Sequence, residues 1–337
     1  MSLIVASILV LMFLNLVLGS VSIPLKSVWN IICGLGDEPV TWQNIVWKSR
    51  LPQALTALVA GAGLAISGLQ MQTVFRNPLA GPSVLGISSG ASMGVAFVVL
   101  LSGSLGGVAL SKLGFMGEIA LSIAAVIGSL SVMALIVYVS QKVKGNVTLL
   151  IIGVMIGYVA NAVIGVLKFF SVEEDIRAYV IWGLGSFSRV SGNQMMLFVA
   201  IMAILIPLSF LLIKTLNLML LGDGYARNLG LNIKRARLLV ITSAGVLTAI
   251  VTAYCGPVIF LGLAVPHLCR AIFQTSDHRV LMPAVLFAGA ALALVCNLVA
   301  RLPGFEGALP VNSVTALIGA QVVDSVLFRK RKNELNE

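Results

Sequence analysis

Charged residues are scarce in this chain of 337 residues. They make up 10% of it, and only 12 residues are acidic, whereas 59% are hydrophobic. A soluble domain carries roughly 25% charged residues. The shortage excludes a soluble globular domain and predicts an all-α, polytopic membrane protein. Because about 20 apolar residues cross a bilayer as a helix, the length permits about ten transmembrane helices.

Groups that carry out chemistry are also few. There is no phosphate-binding Gly-x-x-x-x-Gly-Lys-Ser/Thr motif, and the two histidines, His267 and His278, have no metal-ligand spacing. We expect His278, within Asp277-His278-Arg279, to lie in a solvated turn. The four cysteines are scattered and are expected to be packing residues. The chain is therefore not expected to be an enzyme, to bind a metal or to carry a cofactor of its own.

Acidic residues are nearly absent from the apolar segments. Only Glu118 and Asp324 fall within them, both near segment ends. A charge at the bilayer centre costs about 3 kcal/mol, and those retained usually carry protons or ions. Their absence argues against an ion-coupled secondary transporter, which stays the alternative reading. The polar residues Gln72 and Asn161, like Gln70 and Asn297, are more often interhelical contacts than substrate ligands.

Ten apolar segments predict the spans, and the first is read as an uncleaved span rather than a signal peptide. Residues 24–49 are expected to form a polar loop, 171–192 to connect two spans, and 331–337 to form a basic and polar tail. The ten segments lie at about 3–23, 51–73, 84–102, 116–140, 147–170, 193–213, 237–254, 259–274, 280–300 and 311–328. The whole chain, 1–337, then forms a single transmembrane domain.

The basic residues predict the orientation. With the N-terminus in the cytoplasm, 14 of the 22 Lys and Arg residues fall on the inside and 8 on the outside. Excess positive charge marks cytoplasmic loops. Both termini are therefore expected in the cytoplasm.

The stretch from Gly61 to Ala91 contains a hard break. Two segments rich in Gly, Ala and Ser flank Arg76-Asn77-Pro78-Leu79-Ala80-Gly81-Pro82. Proline disfavours helix in itself and in the preceding residue, so one helix must end here and another begin. Small residues let helix backbones approach closely in lipid. The break predicts a cytoplasmic corner between two closely packed spans.

A second break, Gly256-Pro257, resembles the first. In the predicted topology the first break lies inside and the second outside, as an inverted repeat of spans 2–5 and 7–10 would require. Chance similarity between Gly-rich apolar stretches explains the pattern equally well.

Residues 221–231 form an unusual polar insertion, Leu-Gly-Asp-Gly-Tyr-Ala-Arg-Asn-Leu-Gly-Leu. Gly222 and Asp223 suit a helix start and Gly230 a stop, which predicts a short helix from Asp223 to Leu229. Such a helix could lie in the membrane interface or act as a lever for a partner protein.

Seven short motifs, in order over residues 45–330, resemble the FecCD-like permease subunits of type II ABC importers, which carry iron–siderophores, haem or cobalamin. The motifs begin with Arg50-Leu51-Pro52 and continue through the Gly61–Ala91 stretch, Trp182-Gly183 and the 221–231 segment. The later ones are Gly256-Pro257 through Val265-Pro266-His267 and Arg270, then Asp277-His278-Arg279, then Leu309-Pro310 with Gly319.

The resemblance implies a role for several residues. The 221–231 segment would be a coupling helix that contacts an ATPase, through Leu221, Gly222, Asp223, Ala226, Arg227, Leu229 and Gly230. Asn146 and Val147, in the loop 144–148, would form a cytoplasmic gate, and Arg50 and Arg301 would dock a periplasmic binding protein. Pathway or architectural positions would be Gln72, Arg76, Asn77, Pro78, Asn161, Gly256, Pro257, Pro266 and His267.

The resemblance also implies partners and a location. Two copies of the chain would form a homodimer in the bacterial inner membrane, with two ATPase subunits that hold ATP and Mg. An iron–siderophore is the first expectation for the cargo, with haem, cobalamin or molybdate next.

The sequence departs from the family pattern at a few positions. Gln53 replaces a second arginine, Asn297 an aspartate and Asn312 a glycine, while Gln321 and Val323 replace Pro and Phe. The effect of these differences does not follow from the sequence.

Overall fold

The computed structural model describes residues 2–104, 115–143, 145–190, 192–301 and 309–321, and in these ranges the regular structure is entirely helical. A π-helical turn (Ile45–Arg50) joins the helices Val40–Asn44 and Leu51–Phe75, and 3-10 turns occur at Pro82–Leu85 and Phe187–Arg189. The helices are α1 (Ser2–Val17), α2 (Leu25–Cys33), α3 (Val40–Asn44), α4 (Leu51–Phe75), α5 (Ile87–Ser104), α6 (Phe115–Lys142), α7 (Asn146–Phe169), α8 (Glu173–Gly183), α9 (Gly192–Phe210), α10 (Ile213–Leu220), α11 (Asp223–Asn228), α12 (Ile233–Cys255), α13 (Leu261–Phe273), α14 (His278–Ala300) and α15 (311–321).

The helices confirm a polytopic membrane protein. Within the described residues, six are long and apolar enough to cross a bilayer: those that include α4, α6, α7, α9, α12 and α14. There are also three shorter apolar helices in the described residues, Ser2–Val17 before the first long one and Ile87–Leu101 and Leu261–Phe273 between long ones. The total of ten spans remains a prediction, since residues 322–328 of the last predicted span lie outside the described ranges.

Two predicted loops are wrong. Residues 24–49 form α2 and α3, because Val28, Ile31 and Val46 bury their side chains in a small apolar cluster with Leu16 of α1. The region 171–192 contains α8, whose first turn holds Glu173, Glu174 and Asp175, as the positive end of a helix dipole favours. The first predicted span is also too long, since α1 ends at Val17.

Helix α4 is the centre of the molecule. It packs most extensively against α14 and α12, then against α13 and α9, and it is buried along nearly its whole length. Gly61 lies against the backbone of Gly289, and Gly68 against the backbone of Gly262, so closely that a β-carbon at either glycine would collide with a carbonyl. The small residues therefore serve the close packing that the sequence predicts.

The two chain breaks lie side by side. After α4, Arg76 takes a left-handed conformation (φ 48°), and the 3-10 turn Pro82–Leu85 leads to α5. At the second break, Gly256 (φ 75°) and Phe260 (φ 69°) redirect the chain into α13. A cavity of about 260 Å³ is lined by both breaks, through Gly81, Pro82, Ser83 and Val84 on one side and Val258, Ile259, Phe260, Gly262 and Leu263 on the other. The inverted repeat itself stays a prediction.

A second group of helices lies beside this core. Helix α5 packs mainly against α6 and α7, with Gly90 and Gly94 facing Ala124 and Gly128 at close range. Helices α6, α7 and α9 leave most of their apolar side chains exposed or only partly buried. These surfaces require lipid or another protein chain to cover them.

Candidate functional site

The short helix α11 lies at the end of the molecule where α4 terminates, here called the α11 face. Gly222 (φ 97°) precedes the helix, and Gly230 (φ 86°) follows it. Both glycines adopt backbone conformations that other residues rarely accept, so they define where the helix starts and stops. The observed helix, Asp223–Asn228, agrees with the predicted one to within one residue.

Helix α11 presents an apolar stripe. Leu221 lies just before the helix, Tyr225 within it and Leu229 just after it, and they are 55%, 74% and 61% exposed. Ala226 is fully buried on the opposite side, and Arg227 is exposed. A stripe of this kind on a polar segment is a surface that a partner could cover.

Asp223 connects α11 to two other helices. Its carboxylate forms an ion pair with Arg76, at the end of α4, and lies 3.7 Å from the guanidinium of Arg237 in α12. Arg76 also donates to the carbonyl of Met219 in α10, at 3.3 Å. The predicted corner residue and the predicted coupling helix are thus in direct contact.

Behind α11, a partly buried polar network joins three helices. Asn217 of α10 accepts hydrogen bonds from the backbone N–H of His278 at 2.9 Å and from its Nδ1 at 2.7 Å, and donates to Asp277 at 2.6 Å. The other ring nitrogen of His278, Nε2, lies 2.8 Å from the hydroxyl of Thr73 in α4. The expectation of a solvated His278 is wrong, since this residue is only 1% exposed. Nothing in the local sequence indicated Asn217 or Thr73.

The predicted gate lies close to the Arg76 corner. Val147, in the first turn of α7, is 69% exposed. It lines a cavity of about 230 Å³ together with Leu150, Phe75, Arg76, Asn77 and Pro78. The side chain of Asn146, Lys144 and the tail 331–337 lie outside the described part of the structure.

The predicted pathway residues fall into two groups. Gln72 is buried, donates to the carbonyl of Leu263 at 3.1 Å and accepts from Arg270 of α13, so it joins α4 to α13. Pro266 is buried within α13 and His267 is partly exposed beside it. Gly256 and Pro257 form the second break. Asn161, by contrast, is exposed on α7 and does not belong with the predicted pathway residues of α4, α13 and the second break.

The two arginines predicted to dock a binding protein lie at the opposite end of α4. Arg50 precedes α4 and Arg301 follows α14. Arg50 is fully buried, and its guanidinium donates to the carbonyls of Leu16 and Val17, both at 2.7 Å, and of Val21. Gly19 leaves room for the guanidinium groups of both Arg50 and Arg301. Burial and, secondarily, the charge of Arg50 lower the pKa of Arg301. Arg50 therefore fastens the chain after α1 to the start of α4, and its docking role remains a prediction.

The departures from the family pattern make specific contacts. Asn297 of α14 donates to Asn15 of α1 at 2.8 Å. Asn312 accepts from the backbone N–H of Ile259 at 3.0 Å and donates to the carbonyl of Gly183 at 3.3 Å, so it joins the second break to the end of α8. Gln53 is buried and donates to Ser49 at 3.2 Å, whereas Gln321 is exposed. Val323 lies outside the described residues.

These features define a multi-pass helical membrane protein with exposed apolar side chains on α11 at one end. The chain belongs to the FecCD transport family, whose model matches residues 7–329. It is 36% identical over 289 residues to the vitamin B12 import system permease protein BtuC of Klebsiella pneumoniae, covering 86% of this chain and 84% of that protein. It is 33% identical to the hemin transport system permease protein HmuU of Yersinia pestis, over 94% of this chain and 91% of that protein.

A solved structure described as an inward-facing conformation of a metal-chelate type ABC transporter has the same fold. The TM-score is 0.82, the identity is 27%, and 97% of each chain is covered. The chain is therefore a permease subunit of an ABC importer and not an enzyme. The secondary-transporter alternative is set aside.

Proposed function

We propose that two copies of this chain form the pathway by which a metal chelate crosses the bacterial inner membrane, driven by two ATPase subunits. A periplasmic binding protein delivers the chelate at the Arg50 end, and the α11 face lies in the cytoplasm with both termini. The chain has no cofactor of its own in this proposal, since ATP and Mg bind to the ATPase subunits.

The observation that carries the proposal is the exposed stripe of Leu221, Tyr225 and Leu229 on α11. A short rigid helix with three exposed apolar side chains fits a groove on another protein, the helix-in-groove mode of recognition. Its opposite side contacts the rest of the molecule through the buried Ala226 and through the ion pair of Asp223 with Arg76. A force applied to α11 by an ATPase would reach the transmembrane helices through these contacts together with α10.

The cargo is proposed as a bulky chelate. The cavity between the two breaks has one polar side chain, Ser83, among nine lining residues. Such a wall suits a large molecule that is passed on rather than held by charge. The relatives named for vitamin B12 and hemin favour a cobalamin or a haem as the cargo. An iron–siderophore and molybdate are the other cargoes to be tested in the same experiment.

The docking contact is proposed for Arg301 rather than for Arg50. Charges at the rim of an interface set orientation and association rate more than affinity. Arg301→Glu is expected to slow capture of the binding protein at low salt without loss of folded protein. Unchanged association kinetics would remove Arg301 from the docking site.

The partner ATPase provides the direct test. The wild-type chain, Tyr225→Asp and Leu229→Asp are co-expressed with the partner ATPase, solubilised and captured through a tag on the permease. Both substitutions are expected to reduce the captured ATPase about tenfold, as loss of a central contact does. Asn228→Asp adds the same charge at an exposed neighbouring position and should capture normally. Full capture by both stripe variants would refute the assignment.

Two further substitutions act differently from the substitutions on the stripe. Ala226→Glu forces a charge into a fully buried position, and Gly230→Trp places a side chain at φ 86°. Both are expected to displace α11 and to uncouple transport from ATP hydrolysis while the protein still inserts in the membrane. Normal uptake and normal substrate-stimulated ATPase activity would contradict the coupling role.

The cargo is identified by reconstitution. Proteoliposomes with the permease, the ATPase and the binding protein are tested with cyanocobalamin, hemin, a ferric siderophore and molybdate in parallel. ATP-dependent accumulation of one chelate supports the proposal, and accumulation driven by an ion gradient without ATP would contradict it. Cross-linking through exposed α7 positions then tests whether two copies of the chain are adjacent.

A further inference from the structure

Helix α11 makes few direct contacts with the rest of the molecule. Ala226 is its one fully buried residue, and the pair of Asp223 with Arg76 is exposed, with 42% and 44% of the side chains accessible. Exposed ion pairs contribute little and weaken with salt. A reliable transfer of motion from α11 to the transmembrane helices therefore requires another connection.

That connection begins in α10, and two residues separate the end of α10 from the start of α11. Leu216 and Met219 of α10 are buried in the main core, so α10 and α11 cannot move apart freely. Asn217, between them, uses both atoms of its amide group. Its oxygen accepts two hydrogen bonds from His278, and its nitrogen donates to Asp277.

His278 extends the connection to the central helix. Because Asn217 supplies an acceptor at Nδ1, that nitrogen carries the proton, and Nε2 faces the hydroxyl of Thr73 at 2.8 Å. Thr73 in turn lies 2.8 Å from the carbonyl of Leu69 within α4. Both His278 and Thr73 are almost completely buried, at 1% and 3% exposure.

Burial decides which connection is the stronger. A buried polar group that loses its partner pays the full penalty of desolvation, and the contact of His278 with Thr73 is buried, while Asn217 is only partly exposed. The exposed ion pair can exchange its partner for water at little cost. Displacement of α10 must therefore carry α14 and α4 with it, whereas the ion pair can open.

We infer that Asn217 and His278 are positioning residues that transmit the movement of α10 and α11 to α14 and α4 through the chain of contacts Asn217–His278–Thr73. This inference rests on the proposed function of α11 as the contact for the ATPase. It assigns a role in coupling to residues that touch neither the ATPase nor the cargo.

Two amide substitutions of His278 separate its two contacts. The side-chain nitrogen of asparagine can replace Nδ1, so His278→Asn keeps the bond to Asn217 and loses Thr73. The side-chain nitrogen of glutamine can replace Nε2, so His278→Gln keeps the bond to Thr73 and loses the side-chain bond to Asn217, while its backbone N–H still donates to Asn217. Because the contacts Asn217–His278–Thr73 act in series, both substitutions are expected to lower the amount of cargo transported per ATP hydrolysed, by up to about tenfold.

A matched control removes another buried bond between helices. Ser67 of α4 and Thr248 of α12 lie 2.8 Å apart, away from α10 and α11. Thr248→Val should lower thermal stability as much as His278→Gln but should leave the ratio of transport to hydrolysis unchanged. If His278→Gln does not insert, Thr73→Val compared with Thr73→Ser tests the chain from its other end, because serine keeps the hydroxyl.

The measurement uses the complete transporter in proteoliposomes, with ATPase capture recorded for every variant. Normal capture with a reduced ratio in His278→Gln or Thr73→Val supports the inference. A wild-type ratio in these variants, or an equal loss in Thr248→Val, overturns it. Failure of the wild-type permease to capture the ATPase would refute the proposed function instead.

Discussion

Asp223 of α11 forms an ion pair with Arg76 at the end of α4, although 147 residues separate them in the chain. Arg76 is in the left-handed conformation that ends the helix, so the same residue terminates α4 and reaches α11. Arg237 of α12 lies 3.7 Å from the other oxygen of the carboxylate. One acidic side chain thus connects the short helix to two spans.

Removing Arg76 is expected to affect coupling more than stability. An exposed pair contributes at most about 1 kcal/mol, so Arg76→Met should unfold near the wild-type temperature. Transport per ATP should fall, and more than in Arg237→Met, because Arg76 makes the closer contact. Equal ratios in the two variants would show that the pair does not orient α11.

Arg50 is predicted to be a folding residue. Arg50→Met removes the donor to the carbonyl of Leu16 in a buried contact and to the carbonyls of Val17 and Val21 in part-buried ones, and a buried unsatisfied group costs about 1–3 kcal/mol. We therefore expect a loss of about 1–3 kcal/mol in the free energy of unfolding. Thermal unfolding in detergent can be followed with a thiol-reactive dye in a Cys33→Ser background, since Cys255, Cys269 and Cys296 are buried. Arg301→Met is the control, and equal destabilisation of both variants would contradict this role.

The contact of α4 with α13 is predicted to tolerate no side chain at Gly68. A β-carbon there would collide with the carbonyl of Gly262, so Gly68→Ala must push the helices apart. Overpacking of this kind costs about 3 kcal/mol. Gly165→Ala on α7, where nothing lies within 4 Å of the added carbon, should be neutral or stabilising. Similar unfolding temperatures for the two variants would disprove the close packing.

The cap of α14 predicts a dependence of stability on pH. The backbone N–H of Arg279 and the amide of Asn217 hold the pKa of Asp277 below its ordinary value of 3.8. A lowered pKa contributes stability above the pKa of the unfolded chain, and this is lost as the pH falls through the folded pKa. The difference in unfolding temperature between wild type and Asp277→Ala should thus be constant near neutral pH and shrink below about pH 4. A constant difference down to pH 3 would exclude this linkage.

The sequence predicts some of these features because their causes are local. Proline and glycine set the breaks at Arg76 and Gly256, and two glycines set the ends of α11. The apolar segments indicate most helices to within a few residues. Helices α2 and α3 were missed because they are stabilised by contacts with α1 rather than by their own length, since short helices depend on tertiary packing.

The polar networks could not be predicted for a different reason. The bonds of Asn217 to His278 and of Arg50 to the last two carbonyls of α1 join residues 61 and 33–34 positions apart, and no local pattern marks such partners. His278 between Asp277 and Arg279 resembles a solvated turn, yet the fold covers it. The docking and gate assignments come from resemblance alone and remain to be tested.

Asn312 has a mechanical consequence for the transport cycle. Its amide bridges Ile259 and Gly183, while the backbone N–H groups of Val311 and Asn312 bond to the carbonyls of Gly185 and Leu184. Hydrogen bonds thereby join three stretches that are distant in the chain: the end of α8, the second break and the start of α15. A glycine at this position could not form the side-chain bridges. These bonds hold the second break rigidly, so a movement of the transport cycle is expected to carry α8, the second break and the start of α15 together.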